Sequence, residues 1–431
     1  MLLFCEAFKI KVKYLIALLF IISILFLGFV PQQSDFALIV SGFALAFGSY
    51  FLLIRKTDFN TRDLLIFAVA LKIVMIFAFP NLSDDIYRFI WDGKLLHLGE
   101  SPFTYLPSAY IETATDPSFT TLFPLLNSPD YYSIYPPFAQ VIFYISTFPG
   151  LNSSVIIKLL LLAAELFTIF FSIKLLDEMK RPRRNVLWYA LNPLIIIEIM
   201  VNIHFEGFMV CFFVMSLYFL KVNKLNKAAI MISLSISAKL VPLLFLPYFL
   251  GQWVFKKSSI FYIKNGAILL LLFLPLLLQL GGFGDSLDLY FRKFEFNASI
   301  YYVLRALGTL WKGYNMIGMI GPSMALAVFS IVMLLAFRTK DFVQFCMLSL
   351  LTFLLLSTTI HPWYLALGIL LSVFSDRKYW IVWSFLIVLS YSKYGANEAA
   401  YYCFVAIEYI TLITFILFEI YTTRKSLPAS I

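Results

Sequence analysis

The chain has 431 residues and a formal charge of +9; 61% of its residues are hydrophobic and only 13% charged. A soluble domain carries about 45–50% apolar residues, so the surplus here has to face lipid, which excludes a water-soluble globular protein. The positive charge does not point to nucleic acid either, because most Lys and Arg stand in short clusters between apolar runs, as orientation signals do.

The first uncharged run, residues 14–30, is long enough to cross a hydrocarbon core of about 30 Å at 1.5 Å per residue. It is longer than the apolar region of a secretory signal and has no small-x-small site after it, so it reads as a retained anchor. Lys9, Lys11 and Lys13 precede it, which predicts a cytoplasmic N-terminus. A second span at 36–54 returns to Arg55, Lys56 and Arg62, and a third at 63–80 exits, leaving 81–136 as a long external segment. The run 138–149 is too short to cross and is expected to be interfacial or re-entrant. The run 155–176 crosses to a basic cluster ending at Arg183 and Arg184. A span at 185–202 exits and one at 206–221 returns, so the turn 202–207 faces outward. Residues 228–254 start and end at basic clusters and hold Lys239 and Pro242 in the middle. They are expected to form two short helices bent there, since Pro removes a donor and breaks the helix. After 259–281 comes a second external loop, 282–313. Spans at 314–337, 341–359, 362–375, 379–393 and 401–421 then alternate. The fold class is thus all-α and polytopic, about 14 helices (range 11–14) in a single transmembrane domain over residues 1–425, with both termini cytoplasmic. Cys5, Cys211, Cys346 and Cys403 form no CxxC pair and read as small buried hydrophobes. Lys72 and Lys158 lie inside spans and receive no role.

Polar chemistry collects on the predicted outer side. The first external segment has seven acids, Asp84, Asp85, Asp92, Glu100, Glu112, Asp116 and Asp130, against two bases, Arg88 and Lys94. Asp84 and Asp85 stand at a membrane exit, where either could simply cap the following helix. Asn202-Ile-His204-Phe-Glu206 packs an amide, an imidazole and a carboxylate into one turn. Lys239 is an ionisable residue inside an apolar run, a functional candidate by default. His361-Pro-Trp-Tyr364 sits at another outward helix end. Taken singly, each has a bland reading as a cap or interfacial anchor; placed together on one face they suggest a site.

At these residues the chain resembles a known family. The stretch SDDIYRFIWDGKLLHLGESPFTYLP is similar to the first-loop pattern of GT-C-fold glycosyltransferases, specifically bacterial polyprenyl-phosphate-mannose-dependent mannosyltransferases. Phe89 and Ser101-Pro-Phe103 depart from that pattern. Tyr135-Pro-Pro137, Asn202-x-His204-x-Glu206, Lys239-x-x-Pro242 and His361-Pro-Trp-Tyr364 follow in the family's order, so the likeness spans about residues 80–365. It implies an inverting hexosyltransferase of the bacterial inner membrane. The enzyme would move a sugar, by the likeness mannose, from a polyprenyl-phosphate donor to a lipid-linked or cell-envelope glycan acceptor outside. Asp85 is the expected base, with Asp84 beside it. Arg88, Asp92, Tyr135, Asn202, His204, Glu206, Lys239, His361 and Tyr364 would bind substrate, with Lys239 at the donor phosphate. No cofactor or metal is expected; Asp84, Asp85 and Glu206 are the groups that would hold a divalent ion if one were used. A competing reading is a polytopic secondary transporter or flippase for a lipid-linked or anionic substrate, which would need no long acidic loop.

Overall fold

The computed structural model describes residues 2–279 and 294–426, with side chains from residue 11 to 422. The part of the expected second loop from 282 to 293 lies outside the described residues. Regular structure among the described residues is helical, apart from one isolated parallel bridge between Phe296 and Thr359. Six helices are long and apolar enough to cross a membrane, beginning with Lys11–Phe29, Phe36–Lys56 and Ser153–Glu178. The other three are Phe255–Leu277, Ile317–Arg338 and Glu398–Thr422. The chain is therefore a multi-pass membrane protein. Five further apolar helices are only 10–17 residues long.

In chain order, α1 (Leu2–Phe29) packs on α2 (Phe36–Lys56), and α3 (Thr61–Val74) follows. Asn60 caps α3 by accepting from the Asp63 backbone N–H, the usual repair for orphan donors at a helix start. The expected span 63–80 stops early, at Val74 with one 3₁₀ turn to Phe77. Lys158 on α8 (Ser153–Glu178) supports the stop: its ammonium donates to the carbonyls of Met75 and Ala78 where the helix ends. Lys72 pairs with Glu165, also on α8, and both side chains are fully buried. The Tyr189 hydroxyl donates to the other Glu165 oxygen at 2.6 Å. The two lysines inside apolar spans are thus cross-braces between α3 and α8. Arg184 is a brace too, donating to the carbonyls of Ile54 in the last turn of α2 and of Thr57 and Phe59 just beyond it.

The segment 81–136 contains α4 (Asp85–His97), α5 (Pro107–Tyr110) and α6 (Pro117–Leu122). It has a small core of its own, built from Trp91, Leu95, Phe119 and Leu126. A Cβ on Gly93 would stand 2.5 Å from the Phe143 carbonyl, so only glycine lets α4 seat directly on α7 (Pro137–Ser146).

The expected exit span 185–202 is broken. A bend of 52° separates Arg183–Ala190 from Pro193–Val201. Asn192 accepts from the Leu194 and Ile195 N–H groups across the break, and Pro193 takes the first position of the new turn, where a missing N–H costs nothing. The second half becomes a π-helical turn over Ile196–Val201, a form frequent at functional sites. Next come α11 (Glu206–Lys221) and α12 (Leu225–Ala238), which pack together. α12 ends at Ala238, Lys239 is extended, and a 3₁₀ turn over Val241–Phe245 follows. Residues 300–312, placed in a loop on sequence grounds, form a helix instead, because the apolar residues Val303, Leu307 and Leu310 share one outward face while Tyr301 and Gly308 are buried. Cys211 and Cys346 are buried as expected, but Cys403 is exposed.

Candidate active site

Four segments meet where the polar residues gather: the start of α4, the turn before α11, the end of α12 and the residues around His361. Asp85 opens α4, and its carboxylate accepts from Asn127 Nδ2 at 3.0 Å. Its other oxygen lies 3.9 Å from His204 Nε2, close enough for electrostatic contact and too long for a hydrogen bond. Asp84 precedes it, exposed, and makes no capping bond; the Ser83 hydroxyl accepts from the Asp85 N–H instead. Partial burial and the neighbouring Asp85 charge raise the Asp84 pKa above the ordinary carboxylate value.

His204 is held with unusual rigidity. The preceding Ile203 has φ 62°, a left-handed conformation that a β-branched side chain adopts only under constraint. The constraint is visible: the His204 backbone N–H donates to the Glu198 carbonyl, and His204 Nδ1 sits 2.9 Å from that same carbonyl and 3.1 Å from the Glu198 carboxylate. A carbonyl oxygen only accepts, so Nδ1 carries the proton and Nε2 faces Asp85. Above His204 the rings form a column. Trp363 stacks on it at 3.6 Å between centroids, His361 on Trp363 at 4.5 Å, and Phe296 on His361 at 4.6 Å. Phe296 is pinned there because its N–H donates to Thr358 and its carbonyl accepts from Ile360. Burial above all, with the Lys239 charge added, pushes the His361 pKa down to about 3, which keeps its ring neutral.

Lys239 pairs with Glu206 and lies 5.4 Å from the centre of the Tyr364 ring, which itself meets His361 edge-on. A small pocket of about 10 Å³ is bordered by Glu206 and Tyr364 and is otherwise apolar, lined by Met209, Val241, Leu350, Phe353 and Leu354. Four buried polar atoms around these residues have no partner: Asn202 Oδ1, His204 Nε2, Glu206 Oε2 and His361 Nδ1. Native interiors rarely leave such atoms bare, so their concentration along this one surface marks where a polar ligand fits.

Asp85, Asn202, His204, Glu206, Lys239, His361 and Tyr364 are thus connected by direct contacts, with Asp84 alongside. Arg88 and Asp92 are not brought to that surface. Arg88 Nε donates to Asp92 at 2.8 Å, and Asp92 also accepts from Ser133 and Gln140, while Arg88 holds the Ser128 and Tyr131 carbonyls. They tie the first segment together from inside. Tyr135 packs edge-on against Phe89 and Phe143, and burial raises its pKa well above the usual phenol value. Sequence reasoning missed Asn127, Phe296 and above all Glu198, an acid interrupting an otherwise apolar run. Among the described residues no group of three or more His, Cys, Asp or Glu side chains is arranged to hold a metal ion.

The model of the family described as alpha-(1->6)-mannopyranosyltransferase, N-terminal domain, matches residues 17–255, more than half of the chain. No curated protein matches the chain.

Proposed function

The chain belongs to the alpha-(1->6)-mannopyranosyltransferase family and is a membrane mannosyltransferase, and from that premise we propose that it takes mannose from a polyprenyl-phosphate donor. The sugar goes to a hydroxyl of a lipid-linked or cell-envelope glycan on the outer side of a bacterial inner membrane, and both termini are cytoplasmic. The observation that supports this reading is a cation, Lys239, held by Glu206 and Tyr364 at the border of a small, otherwise apolar pocket, with unpartnered polar atoms on the neighbouring Asn202, His204, Glu206 and His361. A polyprenyl phosphate is that combination in reverse: an anion on an apolar tail beside a hydroxyl-rich sugar.

The chemistry follows from the groups. Polyprenyl phosphate is a good leaving group, so the reaction needs no general acid. Asp85 takes the proton from the acceptor hydroxyl as that oxygen bonds to the anomeric carbon and the carbon–phosphate oxygen bond breaks. The anomeric carbon acquires oxocarbenium character, as in glycoside chemistry. Lys239 stabilises the charge growing on the phosphate. Attack opposite the leaving group inverts the centre, so an alpha product comes from a beta-linked donor. Asn202, Glu206 and His361 offer their free polar atoms to the sugar, and no metal is needed.

The test uses membranes containing the protein, radiolabelled polyprenyl-phosphate mannose and endogenous acceptor. Label should appear in glycolipid or polymer, and Asp85→Asn should abolish it. Label that is equal in wild type and Asp85→Asn, or absent from wild type, overturns the reading.

A further inference from the structure

Glu198 is a buried acid in a segment that sequence patterning reads as a plain membrane span, and the transfer chemistry above does not use it. Its side chain is 2% exposed and sits on the π-helical turn. Both carboxylate oxygens are engaged. One accepts from the Tyr391 hydroxyl at 2.5 Å; the other accepts from Asn202 Nδ2 at 3.1 Å and lies 3.1 Å from His204 Nδ1. Its backbone carbonyl receives two more donors, both from His204. One residue therefore fixes the position, ring orientation and tautomer of His204, and the π turn is what brings its carbonyl and its carboxylate to the same imidazole. Opposite, Nε2 is buried, unpartnered and 3.9 Å from Asp85.

We propose that Glu198 is a positioning residue for sugar transfer, acting through His204, which accepts the proton that Asp85 removes from the acceptor. This rests on the functional reading above. In the step, the acceptor O–H bond breaks as oxygen bonds to the anomeric carbon, and the leaving electron pair goes to the phosphate. The proton passes from the Asp85 carboxyl to His204 Nε2. The imidazolium that forms is stabilised by the Glu198 carboxylate, as a carboxylate–histidine pair does elsewhere. His204 returns the proton to water when product leaves, and Asp85 is a free base for the next turnover. Aspartate alone is a weak sink for the acceptor proton; an imidazole held beside it gives that proton a second resting place.

Purified full-length protein and polyprenyl-phosphate mannose serve for the test. Glu198→Gln keeps the shape and removes the charge. It should lower kcat by about 10- to 100-fold, the usual cost of losing an orienting carboxylate, with KM for the donor unchanged. His204→Gln should lose at least as much, and the double variant should lose no more than His204→Gln alone, since one residue acts through the other. Wild-type kcat in Glu198→Gln, or losses that multiply in the double variant, overturns the proposal. A second readout is independent of activity. The chain has only three histidines, so ¹⁵N-histidine spectra in micelles report each ring. His204 should be the Nδ1–H tautomer in wild type; the Nε2–H tautomer overturns the proposal even if Glu198→Gln fails to fold. If wild type transfers no mannose, the functional reading fails, and the tautomer still judges the role of Glu198.

Discussion

Replacing Lys239 by Met tests the donor-phosphate role, but the Lys239–Glu206 pair makes the single variant ambiguous. The Lys239 side chain is 29% exposed and that of Glu206 only 2%. Removing the lysine strands a buried carboxylate. Breaking a fully buried pair costs about 3–5 kcal/mol; the partial exposure here brings the expectation to roughly 2 kcal/mol. Glu206→Gln in the same chain removes the stranded charge and should restore most of that stability. Activity should behave differently. A charge-assisted hydrogen bond contributes about 1.5–3 kcal/mol, so losing it from the phosphate should reduce turnover roughly 10- to 150-fold. That loss should persist in Lys239→Met/Glu206→Gln. Glu206→Gln alone should keep donor binding, because Lys239 is then free for phosphate. Stability can be read by denaturant titration in mixed micelles and turnover by transfer of radiolabelled mannose. A double variant with wild-type turnover refutes the assignment; a double variant as unstable as Lys239→Met refutes the energetics of the pair.

Other perturbations have equally definite outcomes. Asp85→Asn should cut turnover by at least about 100-fold with donor affinity little changed, and Asp84→Asn by less; steady-state kinetics showing the reverse order would exchange their roles. Lys72→Met should destabilise the fold by about 3–5 kcal/mol, and Lys72→Met/Glu165→Leu should recover most of it, since an apolar pair replaces a buried ionic one at little cost; denaturant titration reads both. His361 has a folded pKa of about 3, below the unfolded value of 6.5, so the unfolded chain binds the extra proton between them. Stability should therefore fall as pH drops from about 6.5 toward 3, and His361→Gln should flatten part of that slope. For sidedness, cysteines introduced in a cysteine-free background at Glu112 and Arg183, both exposed, should label from outside and inside respectively.

Composition and run length were enough to read the helical membrane architecture, because lipid imposes apolar segments of nearly fixed length. Most of the residues that meet at the site were also legible, as polar groups interrupting apolar runs: Lys239, the Asn202–Glu206 turn and His361. What sequence could not supply was pairing. Lys72 and Glu165 are 93 positions apart, and nothing local says that one answers the other. The same limit assigned Arg88 and Asp92 to substrate. Their spacing of four predicts a helical ion pair, but only the fold reveals Ser133 and Gln140 closing around it. Trp91-Asp92-Gly93 lies in the stretch that resembles the family's first-loop pattern, and each of its residues has a structural part: an aromatic core, an internal brace and a close approach of two helices. Glu198 was hidden because the run around it fits a straight span, whereas the backbone bends at Asn192 and tightens into a π turn.

The ring column has an evolutionary and practical consequence. His204 lies within residues 17–255, but Trp363, His361 and Phe296 all lie beyond them. The edge of the recognisable domain therefore runs through the middle of the proposed reaction chamber, leaving Asp85 on one side and three of the four stacked rings on the other. A fragment cut at that edge would keep Asp85 and Lys239 and yet lose the wall against which His204 rests. Splitting the gene there should yield two pieces that are inert apart, and swapping the second half between relatives should alter how firmly the chamber is closed while leaving the acid itself untouched.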